Sequence, residues 1–213
     1  MNKLQLILRL NLYKTLKYSI LFKNIILIGR GSRINLKKGA QIKFNAPNAK
    51  LSIGIKFSVP VPTVLDIHKN GLFLVGNNVS INRGCKIVIG KNAQFTIGNN
   101  SYINENTRIQ CMKRVTIGNN CAIAWNCDIL DTDEHAIYVN NKLINQNEDV
   151  ILGDNVWIGA KSVLLKGSNI SDNCIVGAQS LVTGTLDSNF IYVGSPCKKV
   201  KQFDRWENKL NII

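Results

Sequence analysis

Carboxylates are missing from the first 65 positions of this 213-residue chain. The first is Asp66, and 12 of the 27 Lys+Arg precede it. The remaining 15 basic residues stand beside all 13 acidic ones, so the net charge of +14 is concentrated near the N-terminus. A basic segment of this kind suits an anionic surface, such as phospholipid or a phosphate-bearing ligand. Nucleic acid is not the expected partner, because aromatics make up only 7% and neither zinc-finger spacing nor an RNP-like motif occurs. Histidine is scarcer still: two in the whole chain cannot supply a three-histidine zinc site, and no C-x-x-C pair joins the six cysteines. No long uncharged apolar run exists either. Lys3, Arg9, Lys14, Lys17 and Lys23 break the N-terminal stretch well short of the ~20 residues that span a bilayer. No small-residue cleavage site follows an apolar core, so a signal peptide is not expected.

What the N-terminus does carry is a stripe at helical spacing: Leu4, Ile7, Leu8, Leu12, Leu16 and Ile20. Residues 1–24 are therefore expected to form a basic amphipathic helix, packed on the domain or lying on a membrane surface. The tail 199–213 has Val200, Phe203, Trp206 and Leu210 along one helical face, and is expected to form a C-terminal helix.

Between them runs a beat of six. From Leu152 an aliphatic residue returns at Ile158, Leu164, Ile170, Val176 and Val182, and four places after each of the first five stands a small one: Val156, Ser162, Ser168, Cys174 and Ser180. The same rule gives Ile117-GNNC, Ile123-AWNC and Ile129, then Ile97, Ile103 and Ile109, and further back Val75, Ile81 and Ile87. Six is neither the strand nor the helix period. It belongs to an all-β solenoid in which each hexapeptide makes one flat side and one corner. Three sides close a triangular coil of about eighteen residues, with coils stacked in parallel ladders. Gly, Asn and Asp fill the corners, where turn geometry costs them least. Cys85, Cys121, Cys127 and Cys174 occupy the small inward position as compact apolar groups, so structural thiols in a reducing compartment are expected, and a cytoplasmic location with them. One stretch halts the beat: DTDEHAIYVNNKLINQNED, residues 131–149, is polar and holds one of the two histidines.

These hexapeptides resemble the left-handed parallel β-helix acyltransferases, the hexapeptide-repeat family. The resemblance rests on "TIGNNCAIAWNCDIL", "DTDEH", "ILGDNVWIGAKSVLLKGSNISDNCIVGAQSLVTG" and "IYVGSPCKKVK". It is strongest toward acetyl-CoA-dependent O-acetyltransferases acting on sugars and bacterial surface polysaccharides, of the maltose and galactoside types. It implies a left-handed β-helix over residues 25–198, with loop 131–149 extruded from one coil. It also implies a homotrimer with active sites between subunits, acetyl-CoA as co-substrate, no metal, and a carbohydrate acceptor. His135 matches the family's general base, and imidazole is the side chain best suited to take a proton near neutrality. Tyr102 and Asn104 match acceptor-pocket positions, although Met112 stands where that pocket usually has a carboxylate. Asp131, Asp133 or Glu134 is expected to orient His135 or touch a hydroxyl. Trp157 is expected near both acceptor and thioester. Ala160 and Ala178 would line the pantetheine track, and Thr183, Lys198, Lys199 and Lys201 would hold the nucleotide end of CoA. His68 has no matching context.

The resemblance leaves the acceptor open. Sugar O-acetylation in surface polysaccharide or lipopolysaccharide synthesis leads; N-acetylation of an amino-sugar nucleotide and antibiotic acetylation are the alternatives. The basic, apolar N-terminus adds peripheral contact with the inner face of the membrane.

Overall fold

A computed structural model of the chain describes residues 3–55 and 61–207, with the side chains of residues 3–5 outside the description. Strands recur in threes. Ile25–Ile28 (β1), Arg33–Leu36 (β2) and Gln41–Phe44 (β3) form three sides of a coil, and each later coil lays its strands on those below. The result is three parallel sheets, of nine, seven and seven strands, in which every third strand is a neighbour until the extruded loop intervenes. One strand breaks the parallel rule: Lys198–Gln202 runs antiparallel to Phe190–Val193 at the edge of the first sheet. The three stacked faces make the expected solenoid prism.

Its interior is the sixfold beat. Ile103, Ile109, Ile117, Ile123, Ile129, Leu152, Ile158, Leu164, Ile170, Val176 and Val182 are all buried, and strand after strand alternates outward and inward. Phe73 and Phe95 stack in the third sheet with centroids 5.0 Å apart. Removing such side chains from water is the main stabilising term, at roughly 1.5–3 kcal/mol each.

The small inward residues do more than fit. Several sit under the carbonyl of a neighbouring corner and donate to it: Ser101 Oγ to Gly118 (2.7 Å), Thr107 Oγ1 to Ala124 (2.9 Å), Ser162 Oγ to Gly177 (2.9 Å) and Ser168 Oγ to Val182 (3.0 Å). Four thiols take the same place, Cys85, Cys121, Cys127 and Cys174 reaching Asn104, Gly153, Gly159 and Asp187. Burial pushes Cys85 up to about 12, and Cys121 and Cys174 to about 11. These groups stay thiols. Among the described residues all six cysteines are free, and no cluster of His, Cys, Asp and Glu could hold a metal ion.

The corners are asparagine ladders. Asn78, Asn100, Asn120, Asn155 and Asn173 stand at φ between 54° and 57°, the left-handed region that asparagine tolerates. Side-chain oxygens of Asn99, Asn119, Asp154 and Asp172 accept from the backbone N–H of Asn77, Asn99, Asn119 and Asp154, tying coil to coil along one edge.

Three expectations need correction. The eighteen-residue coil holds for Ile158 paired with Val176, but Ile28, Ile53, Ile81, Ile103 and Ile123 pair successively, so the earlier turns take 25, 28, 22 and 20 residues. Longer corners and four-residue strands account for the excess. The N-terminal segment is two helices, Lys3–Arg9 (α1) and Leu12–Phe22 (α2), interrupted where Leu10 forms a bridge to Gly29. The tail expected to be helical from residue 199 is the antiparallel strand Lys198–Gln202, followed by an irregular segment to Glu207. Residues 208–213 of that expected helix, Leu210 among them, lie outside the described residues. A free sheet edge supplied hydrogen-bond partners that a lone helix could not offer.

Candidate functional site

The prism has three edges, and two of them carry the residues of interest. On the edge between the first and second sheets, two successive coils contribute small pairs, Gly159-Ala160 and Gly177-Ala178. A Cβ on Gly159 would come within 2.4 Å of the Ala178 nitrogen, so glycine is what permits the coils to stack this closely. The same edge and the adjoining face of the first sheet form a cleft of about 610 Å³, within the range of small-molecule sites. Tyr102, Asn104, Trp157, Ala160 and Ala178 all line it. These five sequence-derived residues therefore share one wall. Asn104 Oδ1 accepts from Asn82 Nδ2 at 2.7 Å, which fixes the amide's orientation, and burial raises the Tyr102 phenol.

Two further tryptophans complete the cleft. Trp125 follows the Ile123 strand and is half exposed. Trp206 arrives from the tail: Phe203 N–H donates to Asn189, Asn173 Nδ2 donates to Asp204, and Trp206 Nε1 donates to the Asn155 carbonyl at 2.6 Å. Its ring stands 5.9 Å from that of Trp157, tilted by 42°. The sequence reading assigned Trp206 to a packing helix and gave Trp125 no role. Trp125 stands two residues after the beat position Ile123 in "AIAWNC", where an outward aromatic at a corner was a usable signal.

His135 lies on the other edge, between the second and third sheets, in the loop leaving strand Asp128–Leu130. It lines a second cavity of about 820 Å³ with Met112, Thr132, Glu134 and Asn145, and the two cavities share no residue. The imidazole is exposed, with Nδ1 3.2 Å from the Asp133 carbonyl oxygen. A carbonyl can only accept, so this bond puts the proton on Nδ1 and leaves the Nε2 lone pair free. The three carboxylates expected to help have separate tasks. Asp131 is wholly buried, its two oxygens accepting from the N–H groups of Met112 (2.6 Å) and Lys113 (2.7 Å), and burial raises it despite those donors. It shapes the corner and does not reach the imidazole. Asp133 pairs with Lys166 at 2.6 Å and accepts from Asn145, and these bonds hold it below the usual carboxylate range. Glu134 accepts from Gln110 Nε2 at 2.6 Å and lines the cavity beside His135.

Asn145 was overlooked in the sequence. Its amide donates to Asp133 Oδ2 (2.9 Å) and the His135 carbonyl (2.8 Å), while its oxygen accepts from Ile137 N–H (2.6 Å). One side chain thus staples the start of the loop to its return. Beyond it, Tyr138–Val139 and Lys142–Leu143 form a two-residue hairpin whose turn, Asn140-Asn141, takes positive φ at both positions.

Of the residues expected at the nucleotide end, Lys198 and Lys201 are exposed on the antiparallel strand beside the first sheet. Lys199 is engaged, paired with Asp187 at 2.5 Å and 4.1 Å from the Phe190 ring centre. Thr183 follows strand Leu181–Val182 of the second sheet, on the edge that bears His135. The four do not form one cluster within a chain.

Comparison with known proteins agrees with this architecture. Residues 149–184 match the family model described as bacterial transferase hexapeptide (six repeats). A galactoside O-acetyltransferase of Escherichia coli K12 is 33% identical over 93 residues, 42% of this chain and 45% of that protein. A putative lipopolysaccharide biosynthesis O-acetyl transferase, WbbJ, of the same organism is 26% identical over 173 residues, 76% of each. The alignment with the galactoside enzyme thus spans less than half of its length. Among solved structures, the polysialic-acid-specific acetyltransferase NeuO superposes with a TM-score of 0.58 at 25% identity, covering 89% of this chain and 81% of its own. Residues 149–184 thus carry the bacterial transferase hexapeptide repeat, and the chain is similar in sequence to a galactoside and a putative lipopolysaccharide O-acetyltransferase and in fold to a polysialic-acid-specific acetyltransferase.

Proposed function

We propose that the protein is an acetyl-CoA-dependent O-acetyltransferase of a bacterial surface glycan, working as a homotrimer of left-handed β-helices. The observation that carries this reading is the state of His135: Nδ1 held by a backbone carbonyl, Nε2 unencumbered and exposed. Nε2 takes the proton of an acceptor hydroxyl as its oxygen attacks the thioester carbonyl. The new C–O bond forms, the C–S bond breaks, and the departing sulfur recovers the proton from the imidazolium. No nucleophilic cysteine takes part, consistent with thiols held neutral by burial.

The separation of the two edges supports an assembly of several copies, here taken as a trimer. A base on one edge and a tryptophan-lined cleft on another act together only when a neighbouring copy brings its cleft to the first copy's loop. Ile137, Tyr138, Val139 and Ile144, apolar and about half exposed on the loop, are suited to that contact. In this arrangement Gly159-Ala160 and Gly177-Ala178 flank the pantetheine arm, Trp157 and Trp206 screen the thioester from water, and Lys198 and Lys201 meet the phosphates. Asn104, Tyr102 and Glu134 remain the acceptor contacts. The buried free thiols support a reducing, cytoplasmic setting.

The test is CoA release from acetyl-CoA with glycan acceptors, comparing wild type with His135→Ala. The expected loss is on the order of 10²–10⁴-fold in kcat with folding unchanged. Equal activity would remove the base from the mechanism.

A further inference from the structure

The helix at the bottom of the solenoid is inside out. In α2 the polar residues face the protein. Ser19 Oγ accepts from Ile26 N–H (3.0 Å) and donates to the Ile26 carbonyl (3.1 Å). One turn earlier Thr15 Oγ1 accepts from Ile28 N–H (3.0 Å), and Asn11 N–H donates to the Ile28 carbonyl (2.7 Å). Lys14 Nζ and Tyr18 Oη donate to the carbonyls of Ser32 and Ile34. The bonds to Ile26 and Ile28 satisfy the open edge of β1, which as the first strand has no coil beneath it, and those to Ser32 and Ile34 extend the contact to β2 and the corner before it. The opposite face carries the apolar stripe. Leu12, Tyr13, Leu16, Ile20 and Leu21 are 58–75% exposed, with Ile7 and Leu8 of α1 beside them, and no residue of α2 is buried.

We propose that this end of the prism docks on an anionic phospholipid surface. Charge selects the occupant. Lys17 within α2, its C-cap Lys23 and Arg30 are exposed, and no carboxylate occurs in residues 1–65. A second copy of this face would set cations against cations, whereas a bilayer rich in acidic headgroups offers apolar depth and opposite charge together. No helix among the described residues is long and apolar enough to cross a membrane, so α2 lies in the interface plane. Because α2 crosses the end of the coil stack, three copies side by side would present their stripes in one plane. The lipid contact itself needs only one chain.

Sedimentation of the full chain with vesicles tests this. Vesicles of phosphatidylcholine with 30% phosphatidylglycerol are compared with phosphatidylcholine alone, for wild type, Leu16→Gln/Ile20→Gln and Lys17→Gln/Lys23→Gln. Both variants alter exposed side chains outside the proposed active site, and their acetyltransferase activity on a soluble acceptor serves as the folding control. Wild type is expected to bind the anionic vesicles, and the apolar variant at least about tenfold less. The lysine variant is expected to lose the preference for anionic lipid, in parallel with its loss at high salt. Equal binding of wild type and the apolar variant, or wild type remaining in the supernatant, would overturn the proposal. So would a smaller oligomer for the apolar variant in the absence of lipid, since the stripe would then be an interface between copies.

Discussion

Two edges of one prism teach opposite lessons about a repeat. Along the edge of Gly159-Ala160 and Gly177-Ala178 the period is kept, two successive coils setting the same small residues one over the other. The product is a smooth wall suited to a long flexible ligand. Along the edge of His135 the period is broken by residues 131–149, and the break needs its own supports: buried Asp131 at its root, the Asp133–Lys166 pair at its flank and the Asn145 staple. Regularity yields a track. Interruption yields an exposed imidazole held by its own supports.

The comparison can be broken at the wall first. Ala178→Trp fills the cleft without touching the loop, and is expected to lower kcat/KM about 10²-fold. Its melting temperature should stay near that of wild type; a variant that folds and keeps full activity would show that the cleft holds no substrate. A smaller effect belongs to the loop's staple. Asn145→Ala leaves His135 in place but frees its backbone, so a roughly tenfold fall in kcat is expected, with KM for acetyl-CoA and thermal stability unchanged. A change in KM alone would assign Asn145 to substrate binding and not to positioning.

The regular coils make a subtler claim, about pH. A thiol whose folded pKa is raised favours the folded state fully below the unfolded value of 9.0, and that contribution fades as pH rises toward the folded one. With Cys85 pushed to about 12 and Cys121 and Cys174 to about 11, unfolding free energy should decline between about pH 9 and 12. The decline should be shallower in Cys85→Ser, measured by denaturant titration. An identical slope would mean that the buried thiols titrate normally.

How much of this was legible in the sequence follows the same division. The inward residues of the regular coils, the small ones near each corner and the extruded loop could be read from residue order, because a period of six leaves each position one environment; that the serines and threonine there donate to carbonyls could not. Tyr102, Asn104, Trp157, Ala160 and Ala178 were singled out by the resemblance to the acyltransferase family and not by the period, and they line one cleft. Features settled by distant partners were not. Lys198–Gln202 reads as the start of a helix, yet the free edge beside Phe190–Val193 recruits it as a strand and carries Trp206 onto Trp157. Asp131 reads as a loop charge, yet the N–H groups of Met112 and Lys113, one coil away, draw it into the interior. The N-terminal stripe was visible, but not that the serine and threonine between its apolar residues would turn toward the sheet edge.

The claim that the base and the cleft meet across a subunit boundary has one decisive measurement. His135→Ala chains and Ala178→Trp chains, each expected to lose about 10²-fold or more of activity alone, are unfolded, mixed and refolded together. Mixed trimers then contain one boundary with an intact imidazole facing an intact cleft, and recovery of up to about a third of wild-type activity per mixed trimer is expected. No recovery, from mixed trimers demonstrated by mass, would contradict the account.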